Sequence, residues 1–186
     1  MYISRISKRN NVSKEGSLFF KDRSISHGKI YSGFIDKAER ILFYVEPEYI
    51  LILSHTKPNW ESINFETKEF KPSLSVGQLL RFSIVCDVSR KSSGTRYKRL
   101  FLSEDDDIVS WFEEKSVNNG FKIEHIELLD RSVESFRHKN NMPRFNGVEI
   151  VGVLKIVDLE KFYNVLNNGI GKGKAFGFGM LRVYRC

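Results

Sequence analysis

Four histidines, His27, His55, His125 and His138, are the side chains of this sequence best suited to moving a proton near neutral pH. An unperturbed imidazole titrates near about pH 6.5. His27 has the densest polar neighbourhood, with Ser24, Ser26 and Lys29 around it at the start of a predicted helix. A helix N-terminus there would offer unpaired N–H groups to a phosphate. By residue type alone, any one of the four is as readily a structural histidine. Metal chemistry has less to stand on. Cys86 and Cys186 are far apart and form no C-x-x-C pair, which leaves a Cys-rich zinc site and a disulfide framework unsupported. The acid run Glu104–Asp107 reads as the first turn of a helix, where carboxylates favour the macrodipole.

The most distinctive segment is Gly169-Ile-Gly-Lys-Gly-Lys-Ala-Phe-Gly-Phe-Gly179. Neither Gly-Lys pair is followed by Ser or Thr, so it is not a Walker A loop. Lys174 occupies the third position of a would-be G-x-G-x-x-G, and the segment follows a helical pattern, which excludes a dinucleotide fingerprint. Lys174, Phe176, Gly177 and Phe178 match part of an RNA-recognition signature, but that signature needs a helix and a strand after it. Gly169, Gly171 and Gly173 let backbone N–H groups approach a ligand or another chain segment, and Lys172 and Lys174 add charge. Gly177 and Gly179 are expected on one face of a final strand.

Positive charge is clustered. Arg90, Lys91, Arg96, Lys98 and Arg99 lie between Val88 and Ser103 with no acid among them. Lys161, Lys172, Lys174, Arg182 and Arg185 follow Glu160, again without an acid. A third cluster joins Arg137, His138 and Lys139 with Arg144. Acid-free basic segments attract polyanions and release their counterions. With a net charge of +7 over 186 residues, three such clusters favour a nucleic acid as partner. The composition, 41% hydrophobic and 28% charged, excludes a disordered chain. No apolar run approaches the roughly 18 residues of a membrane span, and the N-terminus lacks the apolar core of a secretory signal. A cytoplasmic location is expected.

The elements that must position these residues follow from periodicity. Residues 2–6 read as a strand. A helix follows, with Ile30 and Phe34 one turn apart and Ser24 or Ser26 as cap. Ile41–Glu46 and Tyr49–Ser54 flank Pro47 as a hairpin. Residues 57–72 look irregular, and Leu80–Val88 alternates as a half-buried strand. The second half has strands at Tyr97–Leu102, Phe121–Leu129, Val148–Val157 and Ala175–Tyr184. Its helices open at Ser103 and Asp158. Each half reads as β-α-β-β-α-β, with the second helix of the first half degenerate. The expected fold is α+β, with two tandem ferredoxin-like domains at 1–90 and 91–186.

The segment GIGKGKAFGFGML resembles the C-terminal glycine-rich loop of the repeat-associated mysterious proteins of CRISPR systems, and more narrowly the CasE family of the type I-E Cascade complex. MYISRI resembles that family's opening strand, and Ser26-His27-Gly28-Lys29-Ile30 sits where members carry a histidine opening the first helix. The resemblance implies an endoribonuclease that needs no metal or other cofactor. It would bind the repeat hairpin of precursor CRISPR RNA and cut at the stem base by 2′-OH attack, leaving a 2′,3′-cyclic phosphate and a 5′-OH. It would then remain with the other Cascade subunits. It also implies His27 as the catalytic histidine, aided by Lys29. Some members carry a tyrosine three residues before the histidine. Ser24 stands there, and Tyr31, one turn after His27, is a stand-in. The segment with Arg137, His138, Lys139 and Arg144 is expected to form a hairpin that meets the RNA stem, extended by Arg90, Lys91, Arg96, Lys98 and Arg99. Lys172 and Lys174 would support RNA or order the loop. A non-catalytic hairpin-binding subunit would share the same charge pattern.

Overall fold

The computed structural model describes residues 1–36, 38–91, 99–136 and 140–186. The first strand, β1 (Tyr2–Ser7), is followed by a short helix α1 (Lys14–Leu18) and the longer α2 (Arg23–Ser32). The hairpin β2 (Leu42–Val45) and β3 (Tyr49–Ser54) comes next, then β4 (Glu66–Glu69). These four strands form one antiparallel sheet in the order β2-β3-β1-β4. That is the ferredoxin-like strand order with no second helix, as the irregular stretch 57–72 led us to expect. Within that stretch, Glu66–Glu69 is a fourth strand and not a loop. It is polar because it is a mostly exposed edge, so no apolar alternation marks it.

The strand β5 (Leu79–Asp87) opens the second sheet, ordered β10-β5-β9-β8. The sequence reading gave Leu80–Val88 to the first half and set the boundary at residue 90. The strand pairings place the change of sheet between Glu69 and Leu79, because β5 pairs along its length with β9 and at Leu80–Ser83 with β10. A two-stranded ribbon, β6 (Ser89–Lys91) and β7 (Arg99–Phe101), precedes α3 (Asp105–Asn118). The long hairpin β8 (Phe121–Ser135) and β9 (Arg144–Ile156), the helix α4 (Leu159–Asn168) and β10 (Arg182–Arg185) complete the unit. Both sheets are therefore ferredoxin-like in order, and the fold is the α+β arrangement expected.

Capping explains where the helices start. Asp158 accepts from the Lys161 N–H and begins α4, and Gly169 (φ +67°) ends it. Glu104, not Ser103, is the N-cap of α3, and Asp105, Asp106 and Asp107 fill its first turn. Ile108, Trp111 and Phe112 face the core of the second sheet with Phe82, Ile84, Phe121 and Phe162. On the first sheet, Ile30 and Phe34 from the α2 segment pack on Ile6, Phe43, Ile50 and Ile52. The opposite face of β2 carries Leu42 and Tyr44, which meet Met180 and Val85 of the second unit. β2 is buried on both sides, which is why its sequence is apolar without alternation. No helix among the described residues is long and apolar enough to cross a membrane.

Candidate active site

Arg23, His27 and Tyr31 recur every four residues, so α2 presents them in one row. Asp22 caps this helix by accepting from the Ile25 N–H at 2.8 Å. His27 thus sits in the second turn and not at the N-terminus that a Ser24 or Ser26 cap implied. Ser26 is buried and spends its hydroxyl on the Phe19 and Asp22 carbonyls. The first N–H groups of the helix lie a turn before the imidazole.

The His27 ring lies 4.4 Å from the Tyr31 ring and 5.4 Å from Phe176, centre to centre. Phe176 belongs to a 3₁₀ turn, Lys174–Phe176, within the glycine-rich segment. The loop from the far end of the chain is therefore packed on the histidine's helix. Lys29 does not join the group. It lines a depression with Glu15, Phe19, Ser32 and Trp60, because two residues of helix turn it about 200° away from His27. Burial raises the pKa of the Tyr31 phenol, against the pull of Arg40 and a hydrogen bond with the Ile41 backbone. Tyr31 is therefore a neutral phenol at physiological pH. Lys174 is only partly exposed, and burial followed by the nearby Arg40 charge lowers its pKa.

The glycine loop has the opposite geometry to a strand. Gly177 and Gly179 were expected on one strand face, but both adopt left-handed turns, at φ +84° and +80°. Gly169, Gly171 and Gly173 also have positive φ. The loop folds over itself: the Ile170 N–H donates to the Gly179 carbonyl at 2.8 Å, and the Gly179 N–H donates to Val85 of β5 at 2.7 Å. A Cβ on Gly179 would stand 2.1 Å from the Ile170 oxygen. The last strand consequently begins only at Arg182.

The basic residues divide in role. Arg99 turns inward. Its guanidinium pairs with the buried Asp87, and it also donates to Ser89 Oγ at 3.0 Å and the Arg144 carbonyl at 3.1 Å. Burial lowers its pKa. It ties the β6–β7 ribbon to Asp87 of β5 and to the Arg144 backbone of β9. Arg90 and Lys172 are exposed and share a hollow with Trp111 and Lys115. Arg144 is exposed beside Phe101, its guanidinium carbon 5.6 Å from the ring centre. Lys91 is the last residue of β6. Arg96, Lys98, Arg137, His138 and Lys139 lie outside the described residues. The β8–β9 ladder extends past the expected limits to Ser135 opposite Arg144. His55 and His125 stand elsewhere, after β3 and in β8.

Three participants were missed. Arg23 donates from Nε to Glu134 at 2.6 Å and from Nη1 to the Phe176 carbonyl at 3.1 Å. Its four-residue spacing to His27 was a readable signal. Glu134 carried none, because it reaches Arg23 from a hairpin, and Arg40, whose charge acts on Tyr31 and Lys174, lies on a loop. Among the described residues, no group of three His, Cys, Asp or Glu side chains is placed to hold a metal ion.

Comparison with known proteins places the chain in a family. The family model for CRISPR-associated proteins matches residues 1–185. The chain belongs to this family. A CRISPR-associated endoribonuclease, Cse3 of Thermus thermophilus, is 30% identical over 157 residues, covering 75% of this chain and 74% of that protein. That relative places this CRISPR-associated protein with the CasE group, as the glycine-rich loop implied. In structure it resembles a CRISPR endoribonuclease Cse3 bound to a 19-nucleotide RNA, with a TM-score of 0.88, 24% identity and 99% and 100% of the two chains covered. It also resembles Cas6e of Escherichia coli K-12, at a TM-score of 0.78 and 20% identity over the full length of both chains.

Proposed function

We propose that this protein is a metal-independent endoribonuclease that cuts precursor CRISPR RNA at the base of the repeat hairpin. The observation that carries the reading is the contact of the His27 ring with Tyr31 and Phe176, where the glycine-rich loop packs on α2, with the Arg40 charge acting on both Tyr31 and Lys174. The relative Cse3 is an endoribonuclease, and the RNA-bound Cse3 structure shares this fold.

The reaction needs proton transfer and charge stabilisation, which these side chains supply. The ribose 2′-OH loses its proton, and its oxygen forms a bond to the adjacent phosphorus. The bond from phosphorus to the 5′-oxygen breaks, and that oxygen takes up a proton. The products are a 2′,3′-cyclic phosphate and a 5′-OH, with no net gain or loss of atoms. His27 carries one of the two proton transfers. Tyr31, kept neutral, donates a hydrogen bond. Lys174 and Arg40 face the extra negative charge of the phosphorane, and an anion there restores the depressed pKa of Lys174. Lys29, on the other side of α2, takes no part in bond making.

The β8–β9 hairpin and Arg144 grip the stem. The deep groove of A-form RNA hides its bases, so phosphates and shape dominate these contacts. The enzyme stays on its product as a subunit of the Cascade complex. The test uses end-labelled repeat RNA in excess EDTA. A single cut is expected that disappears with a 2′-deoxy substitution at the site and with His27→Ala. Tight binding without a cut would make the protein a hairpin-binding subunit instead.

A further inference from the structure

Arg23 ties α2, the β8–β9 hairpin and the glycine-rich loop together through a single side chain. Its Nε donates to Glu134 on β8 at 2.6 Å, and its Nη1 donates to the Phe176 carbonyl at 3.1 Å. Its guanidinium carbon lies 4.4 Å from the Phe178 ring centre. The side chain is 16% exposed, so these contacts are made with little water present. Glu134 is itself steadied by Ser132 Oγ at 3.3 Å.

The aromatic rings continue the connection. Phe176 touches His27, and it also lies 4.9 Å from Phe136 and 5.5 Å from Phe145. Phe136 follows β8 directly, and Phe145 is on β9. The imidazole therefore rests on a ring whose backbone is held by Arg23 and whose far side is supported by the hairpin. A 2.8 Å approach of Arg23 Nη1 to the place of a Cβ at Gly177 shows how closely the loop is drawn onto the guanidinium.

We propose that Arg23 is a positioning residue for RNA cleavage: it holds Phe176 against His27 and makes that placement depend on the hairpin through Glu134. This rests on the endoribonuclease reading. Only a guanidinium serves both acceptors, because Lys is a point charge without the planar fork. Lys at this position keeps the charge and loses one of the two bonds.

The experiment compares wild type, Arg23→Lys and Glu134→Gln on repeat RNA. Single-turnover cleavage at saturating enzyme is read beside the Kd for a 2′-deoxy repeat hairpin. Cleavage is expected to fall about 10- to 100-fold in Arg23→Lys, the range for slight misplacement of a reacting group. The Kd is expected to change less than about threefold, about 0.6 kcal/mol. Proton NMR of the imidazole signals gives a readout independent of activity. The His27 resonance is expected to move in both variants while those of His55 and His125 stay. Cleavage near the wild-type rate, or a loss matched by the loss of binding, overturns the proposal. So does an unmoved His27 signal. A wild type that binds and does not cut overturns the endoribonuclease reading instead, and the NMR shift then still decides whether Arg23 positions the ring.

Discussion

Substituting Gly179 by Ala tests whether the glycine loop is a fixed part of the fold. The residue sits at φ +80°, where an L-residue costs roughly 1–2 kcal/mol. The added Cβ would meet the Ile170 oxygen at 2.1 Å, and that atom is backbone that cannot rotate aside. Relief requires moving one limb of the loop. That strains the bond from Ile170 N–H to Gly179 or from Gly179 N–H to Val85, each worth about 1 kcal/mol net. The sum is about 2–4 kcal/mol, a large part of a typical stability of about 5–15 kcal/mol. Gly77 supplies an internal control. It has φ +86°, but nothing lies within 4 Å of its would-be Cβ, so Gly77→Ala bears only the conformational cost. Urea unfolding of both variants at neutral pH, with unchanged m-values, isolates the packing term. Gly179→Ala is expected to be the less stable by at least about 1 kcal/mol. Equal losses would refute the claim that the loop is locked by close backbone contact.

Further outcomes follow from individual residues. Gly28 lies in α2 with open space around it, so Gly28→Ala should stabilise the protein by about 0.5–1 kcal/mol in the same melts. Arg144→Ala should weaken repeat-hairpin binding and lower the slope of log K against log salt by about 0.9, as filter binding at several salt concentrations would show. The Tyr44 phenol is pushed up by burial and by its hydrogen bond with Glu46. The folded state holds the proton that the unfolded state releases near about pH 10, so the associated stability is full below that pH and is lost above it. Melts at pH 9 and pH 11 should show that loss, and Tyr44→Phe should lessen it.

How much of this was readable in the sequence depends on how local each determinant is. The alternation of Leu80–Cys86 and the caps at Asp158 and Gly169 act over a few residues, and the structure keeps them. Strand order was legible in part. The second unit keeps the β-α-β-β-α-β order and the first keeps it without its second helix. But Tyr97–Leu102, expected as the second unit's first strand, gives way to β5, and Arg99–Phe101 pairs only with β6. The boundary at 90 was not legible, because β5 looks the same whichever sheet receives it. Pairing with β9 and β10 decides that, and those partners lie far along the chain. β4 escaped notice because an exposed edge strand carries no hydrophobic period. At the site, residue type left four histidines open, and it was the resemblance to the CasE family that singled out His27. Lys29 was placed by nearness in sequence, although helical geometry turns it away. Arg99 was counted as a surface cation because Asp87, its buried partner, is twelve residues earlier.

The bond from Arg23 to the Phe176 carbonyl spans 153 residues. A ribosome adds roughly 5–20 residues per second, so on the order of 8–30 s separates the synthesis of the histidine's helix from that of the loop that closes over it. During that interval α2 has emerged without its buttress, and a nascent chain has the histidine but not the loop that packs on it. On the proposed reading, nuclease competence therefore arrives late in translation, after the β8–β9 hairpin has been made.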